Sequence, residues 1–113
     1  MDMIRLTSLA LSLLVSLPLH AGEGLSEQRQ QELGNLLVQD CGSCHGLRMR
    51  GGLGPALLPE VLQSRPQDYL VNVILEGRPG TAMPGWGALL SDEEARWMTE
   101  RLLDGDLDRK THQ

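Results

Sequence analysis

The stretch CGSCH, residues 41–45, holds both cysteines of the chain, with a histidine directly behind the second. Two thiols at this spacing suit a redox disulfide, half of a zinc site, or the attachment point of a haem. A thioredoxin-like disulfide needs the motif between a strand and a helix, whereas here it closes a helical pattern and runs into glycines. A structural zinc site needs four ligands, and outside this stretch the chain offers no cysteine and only His20 and His112. The haem reading uses the whole motif. Positions i, i+3 and i+4 share one helix face, so Cys41 and Cys44 can form thioethers to two vinyl groups while His45 reaches the iron.

The surroundings favour that reading. With 113 residues the chain is one small domain. Its start reads as an export signal: Arg5, an apolar run from Leu6 to Leu17, Pro18, then Ala21 as the small residue at the cleavage point. That run is about half of the roughly 20 residues needed to span a bilayer. The expectation is a signal peptide over 1–21, a periplasmic domain over 22–105 with no membrane anchor, and a flexible charged tail over 106–113. The net charge of −5 excludes nucleic-acid binding by counterion release, and it suggests basic or apolar surface on any protein partner. The chain has no Phe, and its aromatics are Tyr69, Trp86 and Trp97. So small a domain usually needs a staple, and a haem macrocycle would serve.

No segment alternates like a strand, and helices are well signalled. Ser26 is placed to cap a first helix running through Leu33, Leu36, Leu37 and Val38 into Cys41. A glycine-rich loop follows from Gly46, with one turn of helix near Pro59–Leu62. Pro66 suits the first position of a second helix, with Tyr69, Leu70, Val73 and Ile74 as its face and Gly77 as its stop. After a second loop, Ser91-Asp92-Glu93-Glu94 forms a capping box. The helix it opens should bury Ala95, Met98 and Leu102 and stop at Gly105. Two long glycine-rich loops in so small a domain make sense if they wrap a cofactor.

A sixth iron ligand has few sources. Met49 is four residues from His45, a reach of at most about 14 Å, too short to round a porphyrin edge. Met98 sits on a core face and His112 in the tail. Met83 lies on the irregular loop GRPGTAMPGWG, and a thioether there would close the iron to substrate.

These pieces in this order resemble a class I cytochrome c over essentially the whole mature chain: CGSCHG, GLGPAL, PQDYLVNVILEG and AMPGWGALLSDEEARWM. The resemblance implies an all-α fold of three main helices, with loops wrapped around one covalent haem c. It also implies an electron carrier without catalytic residues, which acts as a monomer on redox protein partners. In that family a proline carbonyl accepts a hydrogen bond from the ligating histidine, and Pro55 is the matching position. Arg78 is a candidate for a haem propionate, with a solvated surface role as the alternative. The family usually has a glycine eight before the first cysteine and an aromatic four before it. Here Leu33 and Leu37 stand there, which suggests a helix crossing repacked around Trp97. More narrowly, the sequence is similar to the small cytochromes encoded beside haem-d nitrite reductases, the NirC group. That similarity implies electron donation to nitrite reductase, or a role in maturing its haem. An open-iron haem enzyme or sensor is the rival.

Overall fold

The computed structural model describes residues 24–109; the expected signal segment and His112 lie outside them. The Ser26 hydroxyl accepts the Arg29 N–H at 3.1 Å and opens α1 (Glu27–Leu36). The helix then widens into one π-helical turn, Leu37–Cys41, and tightens again as α2 (Gly42–His45). CGSCH thus ends a continuous helical rod, with a π-turn that closes on the first cysteine of the motif. Such turns often mark functional positions in helices.

The rest is as sparse as the composition suggests. A single turn, α3 (Pro59–Leu62), precedes α4 (Gln67–Glu76) and α5 (Asp92–Asp104). There is no strand among the described residues. The capping box forms in full: Ser91 Oγ accepts the Glu94 N–H at 3.1 Å, and Glu94 accepts the Ser91 N–H at 2.9 Å. Gly105, at φ 69°, ends α5 in the left-handed conformation. One further turn, α6 (Asp106–Arg109), follows where the charged composition predicts fraying.

The core lies where α1 and its π-turn meet α5. Leu33 and Leu37 are completely buried, as are Ala95 and Met98. Met49, Leu62, Leu90 and Leu102 close the cluster. Each fully buried leucine contributes roughly 1.5–3 kcal/mol. Arg29 on α1 pairs with Glu94 on α5 above this crossing.

Three expectations need correction. Pro66 is the N-cap of α4 and not its first residue, with an extended ψ of 141°. The α4 face is also rotated: Val71 is its buried residue, Leu70, Val73 and Ile74 are half-buried, and Tyr69 is exposed. The cause is the packing of α4 on α5, where Asp68 meets Arg96 at 2.9 Å and Gln67 meets Glu100 at 3.4 Å. Finally, the helix crossing is centred on Leu33 and Leu37 themselves. Trp97 lies half-buried at its margin, with the Arg101 guanidinium 5.6 Å from its ring.

Candidate functional site

The rod delivers Cys41, Cys44 and His45 to one place, and the next ten residues fold back on them. Gly51 N–H donates to His45 O at 2.7 Å, and Gly54 N–H to Cys44 O at 2.8 Å. This turn carries the Pro55 carbonyl to 2.7 Å from His45 Nδ1. A carbonyl only accepts, so Nδ1 carries a proton, and Nε2 is the nitrogen that a neutral ring offers to a metal. Gly54 lies against the ring itself: a Cβ there would stand 2.8 Å from Cε1 and 2.9 Å from Nδ1. The ring is therefore buried, oriented and held in one tautomer, as a metal-ligating imidazole requires.

The two thiols are unpaired, Cys41 half-buried and Cys44 exposed. Burial first, then the Asp40 carboxylate, pushes the Cys41 thiol up to about 11. A redox-active cysteine needs the opposite shift. Nor is there any cluster of metal-binding side chains of the zinc type among the described residues. Two thiols with no partner beside a tautomer-locked histidine fit a covalently attached haem.

Met83 belongs to a second assembly, built on the C-terminal end of α4. A helix end leaves carbonyls unpaired, and here the loop supplies the donors: Trp86 N–H to Ile74 O and Gly87 N–H to Leu75 O, both 2.9 Å. So close a fit of backbone on backbone requires Gly77. Its φ is 71°, and a Cβ there would lie 2.6 Å from Gly85 N and 2.7 Å from Met83 O. Met83 is half-buried on this loop, and its carbonyl accepts the Arg78 N–H at 3.2 Å. The Arg78 side chain itself is exposed. Trp86 packs on the core cluster.

Several site residues escaped the sequence reading. Gly54 and Gly77 read only as loop punctuation, and Thr81, two residues before Met83, carried no signal. Met49 was set aside as a ligand. It is buried at φ 58°, a left-handed conformation that costs a methionine about 1–2 kcal/mol. Leu57 N–H, bonded to Met49 O at 2.8 Å, helps hold it there. A cleft of about 480 Å³ lined by Arg50, Leu58, Pro59, Glu60 and Gly105 includes none of the predicted site residues.

Fold and site together define a small c-type cytochrome, an electron carrier. Residues 28–100 match the family described as cytochrome c oxidase, cbb3-type, subunit III, a haem c-binding family. The chain is 51% identical to cytochrome c55X of Pseudomonas aeruginosa over 88% of its own length and 84% of that protein. It is 52% identical to cytochrome c55X of Stutzerimonas stutzeri over 86% of each chain. The solved c-type cytochrome NirC superposes with a TM-score of 0.72 at 53% identity, covering 74% of this chain and 98% of that one. The chain belongs to the NirC-type cytochromes c. A larger protein, the dihydro-haem d1 dehydrogenase of P. aeruginosa, contains a related segment, 41% identical over 81% of this chain but only 17% of the dehydrogenase. The solved dehydrogenase NirN in complex with DHE matches with a TM-score of 0.58 at 40% identity, over 63% of this chain and 16% of that one.

Proposed function

We propose that the chain carries one haem c, bound through thioethers at Cys41 and Cys44 with His45 and Met83 as axial ligands. It serves as a periplasmic one-electron donor to a haem-d nitrite reductase. When bound, such a haem supplies an Fe(III)/Fe(II) couple, and His/Met ligation raises its potential relative to two imidazoles. The observation that carries the reading is the 2.7 Å bond from His45 Nδ1 to Pro55 O, which reserves Nε2 for a metal. The fastened Met83 loop supports the second ligand, and its rigidity would keep both oxidation states alike. The domain limits, 22–105 after removal of 1–21, are part of the same proposal, as is a monomeric state. No helix among the described residues is long and apolar enough to cross a membrane. The exposed Arg78 side chain is free to reach a propionate.

Two measurements test this. The ferric protein should show the far-red charge-transfer band of a methionine–iron bond, abolished by Met83→Ala. A high-spin spectrum indifferent to that substitution would overturn the ligand set. Stopped-flow reduction of purified nitrite reductase by the reduced protein should outpace an unrelated cytochrome, and equal rates would remove the partner.

A second reading is favoured by the dehydrogenase relatives, whose names refer to dihydro-haem d1. A dehydrogenase must pass on the electrons it removes, and a free-standing cytochrome of this type could take them during haem maturation. Loss of assembled nitrite reductase in a deletion strain, rather than slow turnover of an intact one, distinguishes this role from donation.

A further inference from the structure

The loop that presents Met83 is fastened unequally on its two sides. Beyond Met83 it is bonded to the end of α4 through Trp86 and Gly87, each N–H donating at 2.9 Å. Before Met83 it is held by four bonds among Arg78, Thr81 and Met83. Arg78 N–H donates to Met83 O at 3.2 Å, and Thr81 N–H donates to Arg78 O at 3.0 Å. The Thr81 hydroxyl makes the other two, donating to Arg78 O at 2.6 Å and accepting the Met83 N–H at 3.3 Å. One hydroxyl therefore spans the loop from its base to the peptide of the proposed ligand. Thr81 is exposed, so burial of its methyl group does not account for it.

We propose that Thr81 is the positioning residue for Met83: its hydroxyl fixes the Met83 peptide so that the thioether is presented to the iron without rearrangement. The inference rests on the reading of Met83 as an axial ligand. Without the hydroxyl, the Met83 N–H turns to water and the loop before it is left with two bonds in place of four. The thioether then leaves its binding position for a larger fraction of the time, and a competing ligand gains in proportion to that unligated fraction. A purely structural turn residue would instead alter global stability and leave iron ligation unchanged.

The test uses the ferric holoprotein with imidazole as the competing ligand, read by loss of the far-red methionine–iron band. In Thr81→Val, which keeps the shape and removes the hydroxyl, imidazole should bind roughly tenfold more tightly, as expected for about one net hydrogen bond. Thr81→Ser, which keeps the hydroxyl, should stay within about twofold of the unsubstituted protein, which the same net bond energy separates from Thr81→Val. Ser91→Ala, a helix-cap loss on another element, serves as the stability control and should leave imidazole affinity unchanged. The proposal is overturned if Thr81→Val binds imidazole like the unsubstituted protein. An equal gain in imidazole affinity in Thr81→Ser, or in Ser91→Ala, overturns it too. Absence of the band from the unsubstituted protein removes the Met83 assignment itself, and this inference with it. A band that is present, with an imidazole affinity indifferent to Thr81→Val, removes this inference alone.

Discussion

At His45 the decisive neighbour is a residue without a side chain. The imidazole, the Gly54 backbone and the Pro55 carbonyl occupy a space that a single methyl group would disturb, since a Cβ at Gly54 falls 2.8 Å from the ring. Gly54→Ala should therefore push the ring off the Pro55 carbonyl and cost about 1–3 kcal/mol, the usual penalty of overpacking. Denaturant unfolding checks it, and an unshifted midpoint would mean that the loop yields freely. The proposed covalent site could be read from the sequence because C-x-x-C-H is a local pattern that points to one chemistry once its rivals lack ligands. Pro55 was legible only by resemblance. Gly54 was not, because a glycine that a turn needs and one that a neighbouring ring needs look the same in a sequence.

Among the elements, those with local end signals were read well. Ser26 and Ser91 cap the helices they were expected to cap, and Pro59–Leu62 forms the expected turn. The π-turn ending at Cys41 was invisible, since a change of hydrogen-bond register leaves no mark on composition. The face of α4 was misjudged because periodicity finds an apolar stripe but not the partner that covers it. The caps are open to direct test. Ser91→Ala removes one half of the capping box and should lower stability by about 1 kcal/mol. Glu94, the other half, also takes the Arg29 guanidinium, and that bond first, with the Ser91 N–H second, holds its carboxyl below the usual range. A carboxylate depressed in the folded state stabilises above its unfolded value, near pH 4.3, and loses that contribution as the pH falls through its folded value. Unfolding midpoints should accordingly drop between roughly pH 5 and 3, and Glu94→Gln should flatten that slope. An unchanged slope would show that Glu94 makes no special contribution to acid stability.

For the molecule as a whole, the order of helices and loops was readable because each boundary carries a serine, proline or glycine. The terminal turn α6 was not, because its charges suggest fraying, while in the structure Arg101 holds Asp104 and Asp106, each at 3.0 Å. What the sequence showed most clearly at this scale was a shortage, and the fold bears it out. The apolar core of the described residues is leucine, methionine, valine and alanine with no aromatic ring. It is concentrated where α1 crosses α5. The segments 46–58 and 77–90 contain no helix. They are organised instead by bonds to the His45 and Cys44 carbonyls on one side and to the end of α4 on the other. In the proposed holoprotein both loops would pack on the haem, and within the protein itself they bury few large side chains beyond Met49 and Leu90. Their order should therefore depend on covalent attachment more than the helix crossing does. In the double variant Cys41→Ala/Cys44→Ala, produced without attached haem, the α1–α5 crossing should retain part of the far-UV helical signal. The loops should be released, so the denaturant transition should broaden and its slope, which scales with the surface exposed on unfolding, should fall. A variant with the slope and midpoint of the holoprotein would show that this protein core is sufficient alone, and that the chain does not need the staple its composition demands.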